Sequence, residues 1–258
     1  MKKILHVLLL GMSLAACKPD RSDDFGVEPG VIAYDDEARV VKKTYATAAD
    51  KSNEINTEEH FSYNAEGKLS RIDGYQFYMG KKELVTYQEQ IYNAGGQRIL
   101  HTYYFKNAAK EWKAGRELEY EYENGVLKTE KAYYYRENAA DERTLANVIV
   151  YEFKGGKKIG QKYFSDQNKL MNEVVYSYAN NILNRETWYN DKGEVFRVFE
   201  HKFSGNRRQI SEYLPAWDGQ IALIEKRYDG QGRLSTEETK VNNPLVCSMM
   251  AGFVKYYY

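Results

Sequence analysis

Three of the four histidines and a run of alternating glutamates are the residues of this chain with the plainest chemical capacity. His60, His101 and His201 could bind a metal or move protons, but no pair has the short spacing of a sequence-local metal site. Each also falls at a different place in the pattern described below, which suits structural histidines. Glu117, Glu119, Glu121 and Glu123 alternate, so a strand would put all four on one face. A glycosidase could draw its acid and base from such a row, but carboxylates opposite lysines are also ordinary cross-strand ion pairs, the simpler reading. Cys247 lies in the apolar run Leu245-Val246-Cys247-Ser248-Met249, with no histidine near it in sequence to act as a base. There is no phosphate-cradling loop, no Gly-x-Ser-x-Gly elbow and no Cys/His cluster. The expectation is a protein that is not an enzyme and calls for no cofactor or metal.

Aromatic side chains are the remaining candidates for contact with a ligand. The chain holds 24 Tyr against 10 Phe and 3 Trp, and tyrosine suits a sheet that is half wet, because the ring packs while the hydroxyl stays hydrated. With 37 basic and 37 acidic residues there is no charge footprint for nucleic acid or for an anionic lipid surface.

What positions these side chains is a repeat. An aromatic residue precedes a Gly- or Asn-rich turn at Tyr34, Tyr63, Tyr92, Tyr122, Phe153, Tyr178, Phe203 and Tyr228, at intervals of 29, 29, 30, 31, 25, 25 and 25 residues. A constant period is the mark of a repeat architecture. Interleaved copies at Phe164 and Tyr189 show that each period holds two strands and two turns. Residues two and four before each anchor are mostly apolar or aromatic, among them Leu118, Tyr120, Val174 and Tyr176. Those one before are nearly all polar, as at Ser62, Glu121 and Lys202. One buried and one wet face imply antiparallel pairing.

Eight periods of two strands predict an all-β, antiparallel meander of about 16 strands. Open sheets of that size curl, split or close, and the preferred form is a curled single sheet or half-barrel. A membrane-spanning barrel does not fit, because Glu and Lys interrupt both faces. In a meander alternate turns share an edge, so the longer connections should line up opposite the anchor turns. On that edge Tyr78, Trp112, Tyr134 and Trp217 are the candidate ligand-contact aromatics, able to stack on sugar rings or grip a protein; the alternative is that they cap the core.

The first residues read as an export signal: Met1-Lys2-Lys3 is positive, Ile4 to Leu10 is apolar but too short to span a bilayer, and Leu14-Ala15-Ala16-Cys17 follows. Those four residues resemble the lipobox of bacterial lipoproteins, which implies cleavage before Cys17 and lipidation of its thiol and new amine. An ordinary signal peptide cut after Ala16 is the alternative. Residues 1–16 are then the signal peptide, 17–30 a polar tether beginning Lys18-Pro19-Asp20, and 31–258 one β-repeat domain. The tether loosely resembles the export signal of surface lipoproteins in Bacteroidota, although Pro19 interrupts it, so the leaflet stays open.

Arg227-Tyr228-Asp229-Gly230-Gln231-Gly232-Arg233-Leu234 resembles the YD repeat of RHS-type proteins, with weaker copies at Tyr63-Asn64-Ala65-Glu66-Gly67-Lys68-Leu69 and Tyr189-Asn190-Asp191-Lys192-Gly193-Glu194-Val195. With the lipobox, the whole chain is similar to uncharacterised Bacteroidota lipoproteins carrying such repeats. The resemblance implies a β-shell in a cell-surface or toxin-associated setting, and no enzyme activity for a chain of this size; with the lipobox, the expected address is the bacterial cell envelope, as an outer-membrane lipoprotein. The functional expectation is a module that binds a glycan or protein. The alternatives are a purely structural or assembly component, which would need a stable oligomer, and a hydrolase, which would need convergent acids in a concave pocket.

Overall fold

The structure, a computed structural model, describes residues 39–107, 109–135, 142–217, 219–242 and 251–258. The export signal, Cys17, the tether, Tyr34 and Cys247 lie outside these residues. The strands are β1 (Lys42–Ala46), β2 (Thr57–Tyr63), β3 (Leu69–Tyr78), β4 (Lys81–Tyr92), β5 (Arg98–Lys106), β6 (Trp112–Glu123), β7 (Val126–Tyr135) and β8 (Arg143–Lys154) in the first half. The second half holds β9 (Lys157–Ser165), β10 (Leu170–Ala179), β11 (Ile182–Asn190), β12 (Val195–Ser204), β13 (Arg207–Tyr213), β14 (Gln220–Tyr228), β15 (Leu234–Val241) and β16 (Gly252–Tyr257). One helical turn, Ala49–Lys51, lies between β1 and β2.

Every strand pairs antiparallel with its sequence neighbours, and β1 pairs with β16 through Lys42↔Tyr257, Thr44↔Lys255 and Ala46↔Phe253. The sheet is therefore a closed barrel, which corrects the expected curled sheet or half-barrel. Closure removes both unpaired edges and gives the apolar face an inside to turn to. The expected number of strands, their antiparallel pairing and the meander order all hold.

Period-two alternation sets the two faces of the wall. In β10 the side chains of Val174 and Tyr176 are buried while Glu173, Val175 and Ser177 are not. The anchor face is concave, as charges there reach across three strands: Tyr103 of β5 feels Glu59 of β2, and Lys43 of β1 feels Lys226 of β14. The outer face carries ion-pair ladders. Lys162 bridges Glu152 at 2.8 Å and Glu173 at 3.6 Å across three strands, Arg71 meets Glu89 at 3.1 Å, and Lys131 pairs with Glu121. Such a wall is not the apolar band of a lipid-facing barrel.

The repeat motif has a mechanical meaning. In Tyr63-Asn64-Ala65-Glu66-Gly67-Lys68-Leu69 the Gly67 amide donates to Asn64 O at 2.8 Å, and the Asn64 side-chain oxygen accepts from the Glu66 and Lys68 amides at 3.0 and 2.9 Å. Gly67 sits at φ 76°, the left-handed position that ends such a turn. The residues after Gly67 serve the next hairpin. Lys68 Nζ lies 5.5 Å over the ring of Tyr92, and the Leu69 carbonyl accepts the Tyr92 hydroxyl at 2.8 Å.

The same clasp recurs around the rim that carries the anchor turns. The hydroxyls of Tyr63, Tyr122, Tyr178 and Tyr258 donate to Val40, Arg98, Lys158 and Leu234 carbonyls at 2.9, 2.9, 2.7 and 2.6 Å. Arg39, Lys157 and Arg233 lie over Tyr63, Tyr178 and Tyr258 as Lys68 lies over Tyr92. Tyr258 thus does the work of an anchor just after β16, beside the seam. Removing one hydroxyl, by Tyr92→Phe, is expected to cost about 1 kcal/mol, the net worth of a neutral hydrogen bond. Urea unfolding monitored by circular dichroism checks this, and an unchanged midpoint would dismiss the clasp as a source of stability.

Candidate functional site

Tyr78, Trp112, Tyr134 and Trp217 do share the rim opposite the anchor turns, as the meander requires. They do not share a surface. Tyr78 is 72% exposed at the end of β3, and Trp217 is 48% exposed in the connection between β13 and β14. Tyr134 is opposite Arg116 on the inner face, with the guanidinium 5.9 Å over its ring. Trp112 lies on the outer face, its ring 4.8 Å from Tyr87, which stacks on Tyr104 at 4.3 Å. There the protein's own cations occupy ring faces: Arg71 over Tyr87, Lys106 over Trp112 and Arg143 over Tyr133. The row Glu117, Glu119 and Glu121 is also external, paired with Arg143 and Lys131 in the ion-pair role.

The inside of the barrel offers more. Its apolar side chains form separate small clusters, one around Leu118, Tyr120, Leu127 and Ala132 and one around Val174, Tyr176 and Leu183. Between them the wall is charged, yet the inward carboxylates of Glu186 and Glu237 keep 21% and 24% of their side-chain surface exposed. Water therefore reaches the bore, as expected when a barrel of this many strands is too wide for side chains to fill.

The best-formed part of the bore spans β9 to β13. Tyr163 and Trp188 lean over Val174 of the intervening strand and stack at 5.6 Å with 25° between their planes. Phe199 meets Trp188 edge-on at 6.4 Å. Glu186 is two residues before Trp188 and so on the same face. Its carboxylate accepts from His201 Nε2 at 3.0 Å, and His201 Nδ1 lies 3.1 Å from Arg208. A guanidinium is only a donor, so the His201 proton sits on Nε2 and points at Glu186. Arg208 and the His201 side chain are each 1% exposed, so this relay fixes a partly open carboxylate beside a double aromatic platform.

Burial, followed by the Glu130 and Glu186 charges, pushes the Tyr163 hydroxyl up to about 12. Burial, then Glu186, raises Tyr176 as well; burial, then Glu130, raises Tyr151. These phenols stay protonated and can donate. The sequence pattern contained Tyr151, Tyr176 and His201 as anchor-face positions, but Tyr163, Glu186, Trp188 and Arg208 fell on the intervening strands. Extending the face assignment across each turn would have found them.

His101 lies on the inner wall of another quadrant, its Nε2 2.9 Å from Gln88 Oε1 and its ring stacked on Tyr103 at 4.3 Å. Burial, then the charges of Arg98 and Arg116, lowers its pKa to about 4. The unfolded chain takes up this proton near pH 6.5 and the folded chain only near 4. Stability is therefore expected to be full above pH 6.5 and to fall by up to about 3 kcal/mol as pH drops through that window. Urea unfolding of wild type and His101→Gln at pH 7 and pH 4.5 checks it: the variant should lose less on acidification, and equal losses would count against His101 as the cause.

Among the described residues no group of three or more His, Cys, Asp and Glu is arranged to hold a metal ion. No protein-family model and no curated protein matches the chain. Among solved structures it is similar to a porin-like protein from Bacteroides vulgatus at 11% identity, covering 86% of this chain and 99% of that one with a TM-score of 0.46. It is also similar to a Bacteroides fragilis protein of unknown function at 14% identity, over 48% of this chain and 94% of that one, with a TM-score of 0.41. A third similarity is to TcdB2-TccC3-Cdc42, at 10% identity over 77% of this chain and 13% of that one, with a TM-score of 0.24. Bacteroides proteins without an established function thus stand among its structural neighbours.

Proposed function

We propose that this chain is a lipid-tethered protein of the bacterial envelope whose barrel binds a glycan in its bore, without catalysing a reaction. The observation that carries the reading is the Tyr163–Trp188 platform on the inner wall, beside a partly exposed carboxylate oriented by His201 and Arg208. A pyranose presents a C–H face and a rim of hydroxyls. Stacked rings suit the first, and a fixed carboxylate with protonated phenols suits the second. The tether follows from the resemblance of Leu14-Ala15-Ala16-Cys17 to a lipobox, and mass spectrometry of the mature N-terminal peptide tests it by showing or failing to show a lipid-modified Cys17.

A glycan array with the soluble chain from residue 18 tests the binding. Trp188→Ala and Glu186→Gln are each expected to weaken a captured glycan by about tenfold or more, near 1.4 kcal/mol. Trp112→Ala, on the outer wall, should leave it unchanged. No captured glycan, or equal binding by Trp188→Ala, would end the proposal.

A further inference from the structure

The turn of the β3–β4 hairpin lies beyond the strand pairing on both sides. Strand β2 pairs with β3 only as far as Thr57↔Gln76, and β5 pairs with β4 only from Thr86↔Phe105. Past those positions the Phe77 amide still donates to Asn56 O at 3.0 Å and Lys106 Nζ still lies 3.4 Å from Glu83, so the part clear of both neighbours is the turn itself, Tyr78 to Lys81. At the tip stand Tyr78, 72% exposed, and Met79, 84% exposed, the two most exposed large apolar side chains among the described residues. Met79 also holds φ 48°, a left-handed turn position that asparagine or glycine takes at lower cost. A strained apolar residue kept in water at an exposed tip is a choice that folding alone does not explain.

The size of the tip selects its partner. One tyrosine and one methionine offer on the order of 400 Å² at most, whereas a stable protein interface needs about 800 Å² from each side. A bilayer interface demands no matching shape and takes apolar groups to a depth of about 5–10 Å, within the reach of this hairpin. A contact this small is weak alone. It suffices for a chain already held at the membrane, where the effective concentration is in the millimolar range.

We propose that the β3–β4 tip is a membrane-contact finger, with Tyr78 and Met79 entering the headgroup–acyl boundary of the bilayer to which the chain is tethered. This rests on the tether proposed for Cys17. The 22 residues from Cys17 to the last before Arg39 span at most roughly 75 Å when extended, more than the roughly 33 Å of a ten-residue strand, so the tip can reach the same bilayer.

The test couples the mature chain through Cys17 to a maleimide lipid in phosphatidylcholine vesicles, with Cys247→Ser. Met79→Trp is placed in a Trp112→Phe, Trp217→Phe background, with circular dichroism confirming the fold. Vesicles with brominated acyl chains are expected to at least halve the emission of the residue at position 79, while the same background retaining Met79 is unaffected. Quenching by aqueous iodide with no effect of bromine would overturn the proposal, as would shielding from iodide that needs an added protein. Because the coupling is chemical, failure here leaves natural lipidation to be judged separately by mass spectrometry.

Discussion

Replacing Arg197 with Met is expected to lower stability by roughly 3–5 kcal/mol, the largest effect of any single side chain considered for this barrel. Glu212 of β13 is fully buried, and Arg197 Nε of β12 lies 3.0 Å from its carboxylate. The Arg197 side chain keeps 22% of its surface exposed. Nε is not aligned for a hydrogen bond, so the contact acts through charge rather than a directed bond. Removing the half-buried partner takes a cation away from a fully buried carboxylate and leaves its remaining contacts to hold the charge, which costs more than the pair itself contributes. The double variant Arg197→Met/Glu212→Met should therefore recover most of the loss, since it removes the buried charge as well. Urea denaturation of the wild type, the single variant and the double variant measures this. A single-variant loss below about 1 kcal/mol, or a double variant no better than the single, would mean that Glu212 is held by its other contacts.

That pair also shows how far the sequence could be read. Turn chemistry was fully legible: an aromatic, then Asn or Asp, then Gly two to four residues on, marks a reversal whose hydrogen bonds are now visible around Asn64 and Asp229. Strand number and face followed from the period. The residues after the glycine were read only as the start of the next strand. In fact Lys68 and Arg233 lie over the tyrosines that close the next strand pair, Tyr92 and Tyr258, a contact between residues about 24 apart that no local pattern announces. The bore was hidden for a different reason. Glu186, His201 and Arg208 come from three consecutive strands, and their meeting depends on register, which β-bulges shift at Ser177/Tyr178 and Trp188/Tyr189. Closure was hidden too, because nothing in Lys42–Ala46, the strand after the Tyr34 anchor in the pattern, identifies it as the partner of the last strand.

Closure is also where the barrel is most exposed to damage. Deleting residues 252–258 is expected to abolish the monomeric fold rather than trim it. Strand β16 has six residues and β1 five, the two shortest in the barrel, and β16 alone joins β1 to β15 through Thr44↔Lys255 and Thr236↔Lys255. Its loss removes Phe253, Val254, Tyr256 and the Tyr258 clasp on Leu234, on the order of 5 kcal/mol of apolar burial. It also leaves two free edges, on β1 and β15, that can pair with another molecule. Because every hairpin leans on the next, opening the ring at one place strips one side from both ends of the array. Size-exclusion chromatography with light scattering should show oligomers or aggregate in place of the monomer, and thermal unfolding should lose its single cooperative transition. Tyr258→Phe separates the contributions: it removes only the clasp, should stay monomeric, and should lose about 1 kcal/mol. A truncated chain that remained monomeric with an unchanged Tm would show that the other fourteen strands are stable as an open sheet with β1 at its margin. The closed ring would then be a consequence of the fold and not a condition for it.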